Sequence, residues 1–204
     1  MKIITVSREF GSGGREIGKR LADLLEMDYY DREILTAMAE KTSLSEDYIE
    51  STLSSGMIRS FPVTFGRTFA CSASNTNAAA LLAQQHRIIK EIAAKGRDFV
   101  IVGRSADVIL ADDKPFNLFV YADMEDRIRR CHERITESFV TDSELKKEIK
   151  RIDRSRRECH AIVSGTEWGD KSGYHLCVNT TGADIKELTP LIAAFARNYF
   201  GRTE

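Results

Sequence analysis

The sequence predicts an α/β domain built on a doubly wound parallel sheet, and three observations carry that expectation. Short β-branched or apolar runs alternate with amphipathic helical stretches along the 204 residues. The first run ends in a glycine-rich turn that opens a helix, which is how a βαβ unit begins. A later run, Phe99–Val102, is apolar throughout, as a parallel strand covered on both faces must be. At roughly 100–200 residues per domain the length suits one compact unit with its own core and at most a small inserted lobe.

Residues 2–6 are apolar and β-branched and read as the first strand. Gly11-Ser12-Gly13-Gly14 follows, then a helix over about 14–25 with Ile17, Leu21, Leu24 and Leu25 on one face. Tyr29-Tyr30-Asp31 reads as a short second strand or its exit. Residues 32–40 and 45–53 read as helices, the second N-capped by Ser45. Residues 54–78 lose the periodicity and gain Ser, Gly, Pro, Thr and Asn, which marks an inserted segment. A long helix over 79–95, a strand ending at Gly103-Arg104 and a strand over 116–121 come next. Charged helices over 124–134 and 143–159, a last strand over 174–179 and an amphipathic helix over 184–199 complete the chain. Sheets of this kind bind ligands beyond the carboxyl ends of their strands. Chemistry is therefore expected at 7–14, at 103–107 and from Asp123 onward.

Composition narrows the function classes. Thirty basic against 31 acidic residues give a net charge of −1, which argues against a dedicated nucleic-acid binder. A hydrophobic fraction of 42% argues against disorder. The neutral sum hides an asymmetry: residues 127–157 hold 11 basic and 6 acidic side chains, and the remainder is acidic. Arginines outnumber lysines 19 to 11, as suits a protein that grips planar oxyanions. Cys71, Cys131, Cys159 and Cys177 form no C-x-x-C pair and read as reduced thiols rather than a zinc or redox motif. The opening residues resemble neither a signal peptide nor a membrane span, so a soluble, cytoplasmic protein with no membrane partner is expected. No spacing links His86, His132, His160 and His175 into a ligand set or a hydrolytic triad.

The glycine loop invites phosphate, because free N–H groups and the positive end of a helix dipole meet there. The dinucleotide pattern G-x-G-x-x-G fails, since Glu16 stands where its third glycine belongs. The pattern G-x-x-x-x-G-K-[ST] matches in part with Lys19 as its lysine. That register puts Lys19 about 200° from Ile17, on the solvent face of the helix. The better register starts at Arg8, so that Gly13-Gly14-Arg15 replaces G-K-[ST] and the lysine is missing. A glycine turn that merely joins strand to helix is the alternative.

The stretches TVSREFGSGGREIGKRLADLL, YYDREIL, FVIVGRSADVIL and FVYADMEDRIRR, with the late DRSRR, WGD, Y and NT, follow in order over nearly the whole chain. Together they resemble the cytidylate kinase-like proteins, a divergent branch of the P-loop nucleoside monophosphate kinases. The resemblance implies a three-layer P-loop NTPase fold with a parallel sheet, a small helical acceptor-binding insertion over about 31–85 and a lid over about 135–170. It implies transfer of the γ-phosphoryl group of ATP, with Mg²⁺, to CMP, dCMP or a related small phosphorylated acceptor. By it, Arg8, Gly11, Ser12, Gly13, Gly14, Arg15 and Glu16 would bind the ATP phosphates. Arg15, Arg104, Arg154 and Arg157 would neutralise charge on the transferred group, and Asp31, Arg59, Arg104, Asp107 and Arg151 would hold the acceptor. No metal ligand is assigned.

Several of these residues keep a second reading. Asp31 and Asp107 could cap helices, and Arg59 and Arg67 could be solvated loop residues. Arg151, Arg154 and Arg157 recur every three residues and could share a face turned to phosphate, or belong to a solvated charged helix. Trp168 could anchor the lid or stack on a base. The family's enzymes carry lysine where this chain has Gly14, Ser or Thr where it has Arg15-Glu16, and Asp where it has Ser105. A missing electrostatic group of that kind costs roughly 3–4 kcal/mol of transition-state stabilisation. A nucleotide- or phosphate-sensing module that lost catalysis is therefore the second reading, and a kinase of a non-nucleotide metabolite the third. Segment 54–78 could serve a homodimer as readily as a substrate.

Overall fold

The computed structural model describes residues 1–54, 73–134 and 141–203. Among them five strands form one sheet: β1 (Ile3–Arg8), β2 (Asp28–Tyr30), β3 (Phe99–Val102), β4 (Phe116–Tyr121) and β5 (Leu176–Asn179). Their order is β2-β3-β1-β4-β5, and every pairing is parallel. Eight helices accompany them: α1 (Gly14–Leu25), α2 (Glu33–Thr42), α3 (Glu46–Ser54), α4 (Ala73–Ala93), α5 (Ala106–Ile109), α6 (Met124–His132), α7 (Asp142–Ser164) and α8 (Ile185–Thr203).

The period-2 alternation of the strands sorts the core into two layers. Ile3, Phe99 and Ile101 turn to one face and pack with Ile34, Leu35 and Met38 of α2, Ile49 of α3 and Ile88 and Ile89 of α4. Ile4, Val6, Val100 and Val102 turn to the other and pack with Ile17 and Leu21 of α1 and Ile192 and Ala196 of α8. Covered on both faces, β3 is apolar at every position, whereas β1 admits the buried Thr5, whose hydroxyl donates to Asn117 Oδ1 at 2.7 Å, and Ser7. The result is the three-layer α/β sandwich expected from the sequence.

Three local differences bear on the site. β1 runs to Arg8 rather than stopping near residue 6, because its pairing with β4 continues to Arg8 opposite Val120. Helix α4 starts at Ala73, inside the stretch read as irregular. Helix α7 runs to Ser164 and begins with a capping box in which Thr141 and Glu144 bond each other's backbone. Arg59, Arg67 and Cys71, with most of the segment read as an insertion, lie outside the described residues. Cys131, Cys159 and Cys177 are free thiols. Among the described residues no helix is long and apolar enough to cross a membrane.

Candidate active site

The glycine loop leaves the carboxyl end of β1 and turns into α1. Gly13, at φ 84°, is the N-cap of α1, and no side chain caps that end. A Cβ on Gly13 would lie 2.8 Å from Ile185 Cδ1, so conformation and space both call for glycine. An uncapped helix start presents its first N–H groups and the positive end of its dipole to the cleft. The loop is braced from behind by buried polar contacts. The Ser12 hydroxyl donates to Glu9 O at 2.9 Å, and the Thr180 hydroxyl donates to Ser12 O at 2.8 Å. Arg130 donates to Thr180 O at 2.6 Å, and Arg127 Nε donates to Phe10 O at 2.7 Å. The Phe10 N–H donates to Asp153 Oδ1 at 2.8 Å, and Asp153 also ion-pairs with Arg127. Ser12 and Arg127 thus shape the loop and do not face the cleft.

A second turn leaves β3 beside the first. Gly103, Arg104 and Ser105 are successive left-handed residues, with φ of 72°, 61° and 50°. For Arg and Ser this conformation costs of order 1–3 kcal/mol each and persists only where neighbours enforce it. Gln85 of α4 is one such neighbour: it is buried and donates to Arg104 O at 3.1 Å. The turn aims Arg104 into a cavity of about 510 Å³ bounded by both loops, α3 and α7. That volume lies within the roughly 300–1,000 Å³ of small-molecule sites.

Four arginines from four elements converge there: Arg8 of β1, Arg15 of α1, Arg104 after β3 and Arg156 of α7, with Arg151 also on the wall. Asp31, buried just past β2, receives Arg15 Nε at 2.5 Å and lies 3.8 Å from Arg8. Asp31 is therefore an ion-pair partner within the cluster; α2 starts from Arg32 with no side-chain cap. Burial and the nearby Arg156 push the Arg8 guanidinium well below its ordinary range, with Asp31 opposing the shift. Burial lowers Arg156 to about 10, with Asp153 opposing and Arg104 adding to the fall. Arg104 is lowered by burial against the pull of Glu50 and Asp31. Each guanidinium would hold its charge more readily with an anion among them.

The lid helix corrects the expected set. Arg154 pairs with Glu158 at 2.9 Å and is exposed, and Arg157 lies over the Trp168 ring at 5.7 Å. Neither lines the cavity. At about 100° per residue, steps of three drift by 60° each, so 151, 154 and 157 fan around the helix instead of sharing a face. The cavity face instead comprises Arg151, Ile152, Ser155, Arg156, Cys159 and His160. Arg151 reaches it from the flank while bonded to Glu148 at 2.6 Å. Arg156 was missed by the sequence reading, although it continues the buried stripe Leu145, Ile149 and His160 at helical spacing. Gln85 and Glu50 carried no local signal at all.

Other expected residues lie elsewhere. Glu16 turns outward to Arg20 at 3.0 Å and Arg134 at 3.3 Å. Asp107 is the second residue of α5, not its cap; it is buried, 3.9 Å from His160, and does not line the cavity. Trp168, by contrast, does line the cavity, buried edge-on against Phe119 at 5.3 Å. Lys19 is exposed and paired with Asp23, as the rejected loop register required.

The donor set does not fit a protein-held magnesium ion. Arg15 stands where a P-loop offers its Ser or Thr hydroxyl, Ser12 is fully buried, and Asp31 is bound by Arg15. Among the described residues no three His, Cys, Asp or Glu side chains gather into a metal cluster. The cavity is lined by Arg8, Arg15, Arg104, Arg151 and Arg156.

The fold agrees with comparisons to known proteins. In structure the chain is similar to an uncharacterized protein from Eubacterium ventriosum ATCC 27560, with TM-score 0.70 and 23% identity, covering 97% of this chain and 99% of that one. It is similar to a shikimate kinase from Bacteroides thetaiotaomicron, with TM-score 0.58, 14% identity and coverage of 96% and 98%. A gluconokinase from Sinorhizobium meliloti 1021 aligns with TM-score 0.54, 15% identity and coverage of 100% and 98%. At these identities the likeness shows a shared fold. No curated protein sequence matches. A family model described as the cytidylate kinase-like family matches residues 3–182. That span includes both loops, Asp31, the cavity arginines and the lid helix, and the chain belongs to the cytidylate kinase-like family.

Proposed function

We propose that the protein is an ATP-dependent phosphotransferase that passes the γ-phosphoryl group to a small anionic acceptor, with CMP and dCMP the first acceptors to try. One observation carries the reading: Arg8, Arg15, Arg104 and Arg156 surround one cavity beside an uncapped, glycine-rich helix start. The loop and the start of α1 would take the ATP phosphates through backbone N–H groups. The acceptor oxygen would attack the γ-phosphorus while the bond to the β–γ bridging oxygen breaks and ADP leaves with the electron pair. Such transfer asks for positioning and positive charge more than covalent help, and the arginines offer both. Asp31, paired with Arg15 and 3.8 Å from Arg8, would hold those two guanidiniums in position.

A second reading, phosphorylation of a compact non-nucleotide acid, is favoured by the aromatic rings of the wall. Arg156 lies over the Phe10 ring at 5.6 Å and Arg157 over the Trp168 ring at 5.7 Å, so a guanidinium already takes one face of each ring. Two of the structural neighbours carry the names shikimate kinase and gluconokinase. The test is ADP release from Mg²⁺-ATP with CMP, dCMP and a panel of small hydroxy acids and sugar acids. Turnover with a nucleotide or an acid alone selects between the readings. ATP binding by calorimetry without turnover of any acceptor would leave a sensor, and no binding would overturn both.

A further inference from the structure

The geometry points to an exchange of positions inside the phosphate loop: Arg8 supplies the phosphate-facing cation that a P-loop carries at the position of Gly14, and Gly14 is glycine because Arg8 fills that side chain's space. The inference rests on the reading that this loop binds ATP phosphates.

The pattern G-x-x-x-x-G-K-[ST] laid on residues 8–15 meets Arg8 for its first glycine and Gly14 for its lysine. Along the sequence these are two unrelated losses. In space they are one substitution. A Cβ on Gly14 would lie 2.5 Å from Arg8 Cβ, 2.9 Å from Arg8 Cγ and 3.3 Å from Val120 Cβ. Backbone-proximal atoms cannot swing aside as a flexible tip can, so full side chains at 8 and 14 exclude each other. The loop can hold glycine at 8 with lysine at 14, or arginine at 8 with glycine at 14.

From β1 the Arg8 side chain crosses under the helix start and over the turn after β3. A Cβ on Gly103 would overlap Arg8 Nη1 and lie 2.8 Å from its Cζ. Gly14 and Gly103 therefore form the two walls of a slot for one side chain. The slot ends 3.8 Å from Asp31, between the loop and the acceptor cavity, where a transferred phosphoryl group would pass. Arg156 Nη1 donates to Arg8 O at 2.9 Å and fixes the base of the side chain. Arginine suits the slot because its charge survives burial better than that of lysine and its planar fork can hold two phosphate oxygens.

The test compares Arg8→Gly, Gly14→Lys, the double variant Arg8→Gly/Gly14→Lys and Gly103→Ala. Thermal unfolding and calorimetric binding of a non-hydrolysable ATP analogue are measured on each. Gly14→Lys alone is overpacked and should unfold several degrees below the parent, and adding Arg8→Gly should recover most of that loss. Arg8→Gly should weaken analogue binding by roughly 10- to 100-fold. The double variant should return to within about threefold of the parent. Gly103→Ala should weaken binding with Arg8 still present. Equal unfolding temperatures for Gly14→Lys and the parent would overturn the shared space. Parent-like binding by Arg8→Gly, or a double variant no better than Arg8→Gly, would overturn the shared role. A parent protein that binds no analogue would instead sink the functional reading, and the cationic role with it.

Discussion

Asp153, in the middle of the lid helix, accepts the Phe10 N–H of the phosphate loop at 2.8 Å. The same carboxylate ion-pairs with the buried Arg127, which holds Phe10 O at 2.7 Å and Glu9 Oε2 at 3.0 Å. Helix α7 and the glycine loop are thus joined through one buried carboxylate, and α7 helps to set the loop's shape. Removing one partner of a buried pair strands the other, at about 3–5 kcal/mol. Asp153→Ala should therefore lower the unfolding temperature by roughly 10 °C at this chain length. Asp153→Asn, which can still accept from Phe10, should lose less. An Asp153→Ala variant that melts with the parent would show that the pair contributes nothing net.

The two faces of α7 separate under substitution. Arg156→Ala removes a guanidinium from the cavity and should cut kcat/KM by about 10²–10³, the scale of one electrostatic group in a closed site. Arg154 pairs with Glu158 on the exposed side, where such pairs are worth about 0.2–1 kcal/mol. Arg154→Ala should leave kcat/KM within roughly threefold of the parent. The reverse order of effects would return the site to the other face.

Much of this was legible in the sequence, for reasons that differ by residue. The strands of the core announce themselves because burial on both faces forces long apolar runs such as Phe99–Val102. Arg8, Arg15, Arg104 and Asp31 sit at strand ends or beside the glycine loop, where the fold class alone directs attention. Arg156 was overlooked because a three-residue recurrence is easily mistaken for a helical face, whereas the real face repeats at 3.6. Asp153 was invisible for another reason: it is one acid in a basic stretch, and its bonds to Phe10 N and Arg127, 143 and 26 residues away, give it a role. Gln85 acts through a single bond to Arg104 O, a contact set entirely by tertiary packing.

The arginine cluster makes the protein's stability depend on anions. Arg8, Arg104 and Arg156 are all lowered, first by burial, and mutual repulsion adds to this at Arg8 and Arg156. An anion that binds only the folded state stabilises it by about 2.7 kcal/mol at a hundredfold excess over Kd. Pyrophosphate should raise the unfolding temperature by roughly 5–10 °C. Potassium chloride at matched ionic strength should not, and Arg156→Ala should lose most of the shift. An equal rise in chloride would reduce the effect to general screening.

Asp107 gives the pH dependence an unusual sign. Its carboxyl is raised above the ordinary value by burial, and the neighbouring His160, 3.9 Å away, opposes only part of that rise. The folded protein therefore holds this proton more tightly than the unfolded chain does. As pH climbs past the ordinary carboxyl value of 3.8, the unfolded chain ionises first and stability from this group is lost. The cost grows with pH until the folded carboxyl ionises as well, and well below 3.8 both states are protonated and it vanishes. Asp107→Asn removes the ionisation while keeping the shape. Its unfolding temperature should exceed that of the parent at pH 7, and the difference should shrink steadily toward pH 4. A variant less stable than the parent at pH 7, with a gap that closes on acidification, would mean that the attraction of His160 outweighs burial.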